Sequence, residues 1–302
     1  MTEAFVQKQC LFCEDQEILR DLYERSFEPD DLNPAVFSAR RVTEHFHYKM
    51  VACRNCSLVF SREVLDDQRL TQLYGQSAFT FGEHTETLRR DYWRPLAPYA
   101  QRVRGGTALE VGCSSGFFLE ELRDRGMDQV FGCEPSVEAK THACPEVRKN
   151  ILSSFFEGKR SFPDTEFDLV CSFHTLDHVS NPLDFLKQAA EVLRPGGLVY
   201  LVTHDVNSLQ ARLLGERSPI IDVEHIYLFN RRTLRLALER AGFECLRTGR
   251  LTNSYPLRYW TKMFPMAPLP KRWLTHAMRW TGLAGLAPPL PMGNIFALGR
   301  KG

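Results

Sequence analysis

The stretch Leu109–Leu122, LEVGCSSGFFLEEL, decides how the chain folds. Its first residues read as a short buried strand, Gly112 and Gly116 permit a tight turn, and FFLEEL continues with the spacing of a helix. A strand, a glycine turn and a helix in that order present a strand end and a helix N-terminus to a nucleotide. The dinucleotide fingerprint carries a glycine where Ser114 stands here, so the loop does not read as a pyrophosphate cradle. In the next strand, VFGCEPS places Glu134 at the end, where a carboxylate accepts both hydroxyls of a ribose. Glu110, closing the first strand, is placed to meet a cationic group. One nucleoside with a zwitterionic, positively charged tail suits these groups better than a diphosphate.

Outward from this stretch, strands and helices alternate. ALEVG, VFGCE, a short strand near RKNILSS, FDLVCSF and GLVYLVT are separated by FFLEELRDRG, SVEAKTHAC and PLDFLKQAAEVLRPGG, with NRRTLRLALERAGF after them. The pattern predicts a doubly wound, mostly parallel α/β sheet whose ligands lie beyond the carboxyl ends of the strands. FECLRTGRL and GNIFALGRK close the sheet as a hairpin, with the sixth strand parallel to its predecessors. Residues 251–292 are inserted between them and hold three of the four tryptophans. Within the insertion, Trp273, Leu274, Ala277 and Met278 share one helical face, with Lys271, Arg272 and Arg279 off it. Such a helix suits a membrane interface, and a lid or a dimer contact equally.

Before the sheet, CLFC (Cys10, Cys13) and CRNC (Cys53, Cys56) form two knuckles. Two thiolate pairs of this spacing complete a tetrahedral structural zinc site. RVTEHFHYKMVAC between them alternates as a strand through Val42, Phe46, Tyr48 and Met50, so His45 and His47 are read as exposed strand residues, with spare zinc ligands as the alternative. The expected organisation is a zinc-ribbon-like module over residues 1–62, a helical linker or cap over 63–105, and the nucleotide-binding α/β domain over 106–302.

The 302 residues carry 38 Lys+Arg against 37 Asp+Glu, a formal charge of +1. No global basic excess points to nucleic acid, so none is expected as a partner. No signal-like apolar core and no run of spanning length is read, and nine cysteines suit a reducing compartment. Cytoplasm is the expected location, with a peripheral membrane contact through the insertion as a further expectation.

LEVGCSSG, FGCEPS, FDLVCSFHTLDHV and VLRPGGLVYL, taken together over roughly residues 90–250, resemble class I S-adenosylmethionine-dependent methyltransferases. The resemblance implies a seven-stranded Rossmann-like sheet. It implies that Glu110, Gly112, Cys113, Ser114, Gly116 and Phe117 cradle the methionine part of the cofactor and that Glu134 and Pro135 hold the ribose. Ser154 to Glu157 would flank the adenine, and Phe173, His174 and Asp177 would lie towards the sulfonium.

The reaction then needs an aligned nucleophile and a group to take its proton. HTLDH supplies His178, and DVEHIYLF supplies Glu224 and His225. With the cysteine knuckles, these segments are similar to a branch of zinc-containing sugar C-methyltransferases acting on nucleotide-linked deoxysugars. Asp222 stands where that branch has a tyrosine, and the sequence lacks that branch's additional C-terminal domain. Both departures direct the expectation to a hydroxyl of a sugar, glycan or lipid-linked glycan, in polysaccharide biosynthesis. His225 is the first choice of base, with Glu224 orienting it or the acceptor, and His178 the second. The alternatives are a sugar C-methyltransferase and an O-methyltransferase of a quinone-type phenol. HTLDH is also similar to the ExxEH of ubiquinone-type O-methyltransferases linked to a divalent metal. A non-catalytic binding module is disfavoured by Glu134 and the polar acceptor edge.

Overall fold

The computed structural model describes residues 5–15, 17–28, 31–32, 46–75, 85–263 and 268–302. The chain begins with β1 (Phe5–Gln7), β2 (Leu19–Tyr23), β3 (Met50–Cys53), β4 (Val59–Ser61) and β5 (Glu63–Leu65), followed by α1 (Asp67–Gly75), α2 (Thr85–Leu96) and α3 (Ala100–Val103). β1 pairs antiparallel with β5, and β2, β3 and β4 form an antiparallel sheet. The strand expected across the histidines begins only at Met50, and Val42 and His45 lie outside the described residues. His47 is corrected from exposed to buried: its Nδ1 lies 2.9 Å from the Tyr48 carbonyl and its Nε2 3.2 Å from Glu216.

The second part runs β6 (Thr107–Val111), α4 (Phe117–Asp124), β7 (Gln129–Cys133), α5 (Val137–Thr141), α6 (Pro145–Arg148), β8 (Ile151–Leu152) and β9 (Phe167–Phe173). It continues with α7 (Pro182–Val192), β10 (Leu193–His204), α8 (Leu209–Leu214), β11 (Tyr227–Leu228) and α9 (Arg231–Arg240). Last come β12 (Phe243–Asn253), α10 (Leu257–Met263), α11 (Pro268–Trp280) and β13 (Leu290–Lys301). The large sheet has seven strands in the order β12-β13-β10-β9-β6-β7-β8. All neighbours are parallel except β13, which runs antiparallel to both β10 and β12. This is the class I methyltransferase α/β architecture expected from the sequence.

Parallel strands covered on both faces must be apolar on both, and alternate residues here divide between two cores. Leu109, Val111, Val170, Val199 and Leu201 face one, whereas Ala108, Leu169, Cys171, Leu198 and Tyr200 face the other. Tyr48, Phe60 and Val64 of the N-terminal part belong to the first of these cores, so the ribbon packs on that side of the sheet. β11, from the second part, adds itself to β4 as a fourth strand of the small sheet. The segment between β12 and β13 carries α10 and α11. On α11, Trp273 and Trp280 are 76% and 89% exposed, so this helix keeps its aromatic side chains off the core.

Candidate active site

The carboxyl ends of β6, β7 and β9 open on one cleft of about 470 Å³, within the range of sites for small ligands. Its floor is the glycine loop. Gly112, Ser114 and Gly116 all take positive φ (74°, 49° and 69°), reversing the chain between β6 and α4. At Gly112 a Cβ would stand 2.2 Å from Thr175 Oγ1, so no other residue fits beside the β9 loop. Ser114 holds a conformation that serines rarely adopt, because its N–H donates to Glu134 Oε2 at 2.8 Å. Glu134 Oε1 accepts from Ser136 N at 2.8 Å, so this single carboxylate ties the glycine loop to the start of α5.

Among the residues expected at the cofactor, Glu110, Gly112, Ser114, Phe117, Glu134, Pro135, Phe173 and His174 line the cleft. Cys113 is buried beneath it, and Gly116 caps α4. Ser154, Phe155 and Phe156 form the wall after β8. Sequence reasoning missed Tyr92 from α2 and Asp67, Leu70 and Thr71 from α1, which close the cleft from the N-terminal side. Their helices carry no glycine or charge pattern that marks a ligand. Burial pushes the Glu110 carboxyl well above the usual range, with the Glu134 charge adding to it, and leaves Oε2 without a hydrogen-bond partner. Burial also raises Glu134, against the two N–H groups that hold its charged form.

The opposite wall gathers three segments around Asp177, which is fully buried. His204 Nδ1 at the end of β10 lies 2.7 Å from Asp177 Oδ2. His178 Nε2 lies 3.9 Å from Oδ1, and His225 Nε2 4.0 Å from Oδ2. The Asp177 carbonyl accepts from both Ile226 N and Tyr227 N, which locks the 222–228 loop onto the β9 loop. His178 and Glu224 line the cleft, whereas His225 lies behind, its ring centroid 4.8 Å from those of both His178 and His204. Burial depresses the basicity of His225 and His178, and brings His174 down to about 3. Burial alone would raise Asp177, but the His204 hydrogen bond and the surrounding imidazoles hold it well below its ordinary value. His204 went unassigned in the sequence, although its place at the end of the fifth strand was the available signal.

At the other end of the first core, Cys10, Cys13, Cys53 and Cys56 converge with their sulfurs all within 4.8 Å of one another. The Cys10 and Cys56 sulfurs are 3.4 Å apart.

The sheet order, the glycine loop and the carboxylate just after β7 define a class I S-adenosylmethionine-dependent methyltransferase. The family model described as "Methyltransferase domain" matches residues 81–248, and the chain belongs to that family. An S-adenosylmethionine-dependent methyltransferase from Archaeoglobus fulgidus shares the fold, with a TM-score of 0.50 and 17% identity over 78% of this chain and 100% of that one. Among curated proteins, the tRNA U34 carboxymethyltransferase of Pseudoalteromonas translucida is 30% identical over 160 residues, 50% of this chain and 49% of the relative. The protein of the same name from Idiomarina loihiensis is 29% identical over 174 residues, 54% of each chain. The chain thus spans about half the length of the curated relatives it matches.

The cofactor fits the residues present. Glu110 offers a buried, unpartnered oxygen to a cation, and no lysine or arginine lines the cleft among the described residues. The acceptor expectation is corrected. Relatives that match about half of this chain carry the name of a tRNA enzyme, so neither the sugar, glycan or lipid-linked acceptor in polysaccharide biosynthesis nor the exclusion of nucleic acid stands. The exclusion rested on a formal charge of +1, a sum over the whole chain that is blind to where charges gather. No helix of the described residues is long and apolar enough to cross a membrane.

Proposed function

We propose that this methyltransferase acts on a nucleoside of an RNA, tRNA being the acceptor class that its relatives' name puts first, and that it transfers methyl rather than carboxymethyl. The observation that carries the donor reading is the lining of the cleft. Asp67, Glu110, Glu134 and Glu224 are its charged residues, with no lysine or arginine among those described. A carboxymethyl donor bears a carboxylate on the transferred carbon. Burying that anion among carboxylates with no cationic partner costs several kcal/mol. A sulfonium carrying only methyl meets no such penalty.

S-adenosylmethionine, when bound, supplies an electrophilic methyl on its sulfonium. Glu134 holds the ribose, Glu110 meets the cationic tail, and the Asp177 wall faces the acceptor. His178 and Glu224 are the groups that the acceptor touches, Glu224 taking its proton, with His225 packed behind as their support. On α11, Trp273 and Trp280 stand exposed beside Lys271, Arg272 and Arg279, a surface on which bases stack and phosphates pair. Cys10, Cys13, Cys53 and Cys56 hold a structural zinc; their clustered sulfurs support this, and four thiolates suit a closed tetrahedral site. The division at residues 62 and 105 is retained in this reading, with β11 fastening the ribbon to the α/β domain.

The test is transfer of labelled methyl from S-adenosylmethionine to purified tRNA, to other RNA, and to RNA-free controls, with the carboxylated donor run in parallel. Label in tRNA from the methyl donor alone is expected. Label in no RNA overturns the acceptor reading, and carboxymethylated product overturns the donor reading. Vesicle sedimentation of the same protein distinguishes a membrane role for α11: binding to anionic vesicles that RNA does not compete would assign that surface to lipid.

A further inference from the structure

Three side-chain atoms at the acceptor wall are buried without a hydrogen-bond partner: Asp177 Oδ1, His174 Nδ1 and His225 Nδ1. Buried polar groups in native proteins are nearly always satisfied, and a cluster of orphans calls for an unseen water or ion. Four imidazoles around one buried carboxylate exceed what a hydrogen-bonded core requires. A structural network would saturate the carboxylate with donors, yet only one of its two oxygens has a hydrogen-bond partner, His204 Nδ1 at 2.7 Å.

We propose that Asp177, His178 and His225 form a binding site for a divalent transition metal, of the zinc, cobalt or manganese kind, at the acceptor end of the cleft. One ligand atom from each lies within 4.8 Å of the others. The separations, 3.9 Å from His178 Nε2 to Asp177 Oδ1 and 4.0 Å from His225 Nε2 to Oδ2, are wider than the ~3.3 Å between ligands of a tetrahedral zinc with bonds of about 2.0–2.1 Å. Small rotations of two imidazoles close that gap. Two nitrogens and one oxygen form a borderline donor set, which suits these metals and not magnesium or calcium. Three protein ligands leave the next position open, as in catalytic rather than structural sites. That position faces the cleft, because His178 lines it. His204 completes the design from behind: its contact with Oδ2 fixes the carboxylate so that Oδ1 is turned towards His178, the role of an outer-shell partner.

The site deepens the reading of the acceptor wall and rests on it only for its use. A cation there polarises an acceptor oxygen or nitrogen and eases loss of its proton, and Glu224 remains in the cleft to take that proton. Metal binding itself needs no acceptor, so its test does not depend on which RNA is methylated.

The test measures metal content of the full chain after loading with zinc or cobalt and removal of loosely held ions. Wild-type protein is expected to retain about two equivalents, one in the four-cysteine site and one at the wall. Asp177→Asn and His225→Gln should each retain about one, and Cys53→Ser should lose the equivalent bound by the cysteines. S-adenosylhomocysteine binding, which depends on the glycine loop, verifies that each variant is folded. The cobalt form gives a second readout, since only the cysteine site has thiolate-to-metal absorption. A wild-type content of one equivalent that Cys53→Ser abolishes overturns the proposal. So does an Asp177→Asn variant that keeps both equivalents. Absence of RNA methylation with the metal result intact would instead fault the acceptor assignment.

Discussion

Replacing Glu134 with glutamine tests the cofactor site at its most connected residue. Its carboxylate is 9% exposed and accepts from Ser114 N and Ser136 N at 2.8 Å each, one N–H per oxygen. The remaining lone pairs face the cleft, where the ribose hydroxyls are to be accepted. Glutamine keeps the shape but offers one acceptor oxygen, so one backbone N–H is left opposite an NH2 group. Hydrogen bonds to a charged acceptor contribute about 1.5–3 kcal/mol, so the dissociation constant for S-adenosylhomocysteine should rise roughly 10- to 150-fold. Titration calorimetry measures this, and thermal unfolding in parallel separates weaker binding from a collapsed loop. Acidification provides an internal control. Burial raises the Glu134 pKa, so wild-type affinity should fall with decreasing pH, starting above the range of an ordinary carboxylate. The part of that fall due to position 134 should vanish in Glu134→Gln. A change under threefold in a folded variant would refute the assignment of the ribose to this residue.

Four further outcomes are expected. His178→Ala should lower turnover by about 10²–10⁴-fold while leaving S-adenosylhomocysteine affinity within about threefold, measured by steady-state kinetics and calorimetry. Cys53→Ser should reduce bound zinc by about one equivalent and lower the melting temperature, read by elemental analysis and calorimetry. Trp273→Ala combined with Trp280→Ala should weaken RNA binding by about 1–3 kcal/mol per lost stacking contact, read by filter binding at fixed salt. Glu110→Gln should flatten the pH dependence of stability. Because burial raises the folded pKa above 4.5, the unfolded chain ionises first and wild-type stability falls as pH rises from that value towards the folded pKa. The glutamine variant should lack this slope in denaturant titrations across pH and bind cofactor more weakly.

The large sheet was legible because parallel strands covered on both faces are apolar runs, and because the glycines of LEVGCSSG have no other common purpose. The cysteine knuckles were legible for a related reason: the spacing itself carries the chemistry, and the four sulfurs do converge. His47 was not legible. Alternation predicts its side from its neighbours, but residues 46–49 have no strand pairing, and the ring is buried by contacts with Tyr48 and Glu216. At the acceptor wall, His174, Asp177 and His178 could be read as a group because they share one loop. His204 and His225 reach the same carboxylate from other segments, a convergence that exists only after folding. Net charge misdirected the acceptor expectation because a sum of +1 over the whole chain does not report where basic residues gather.

The same convergence gives the ribbon a mechanical role. Ser61 on β4 donates its hydroxyl to the His225 carbonyl at 3.1 Å, and its N–H to the Ile226 carbonyl at 2.8 Å. The next two residues, Tyr227 and Leu228, pair with Phe60 and Val59. Asn230 reaches the knuckle itself, its side chain donating to the carbonyl and hydroxyl oxygens of Ser57, the residue after Cys56. The loop carrying Glu224 and His225 is therefore held from one side by the Asp177 carbonyl and from the other by the cysteine-bearing sheet. Among the described residues the glycine loop has no such hydrogen bond to the ribbon, being fixed by Glu134 and by Cys133, whose carbonyl accepts from Gly112 N at 2.8 Å. Loosening the cysteine site should therefore disturb the acceptor wall before it disturbs the cofactor floor. In Cys53→Ser, methyl transfer should fall by a larger factor than S-adenosylhomocysteine affinity. Equal losses in both would mean that the ribbon supports the whole sheet rather than this loop, and that its contacts with residues 225–230 are incidental to catalysis.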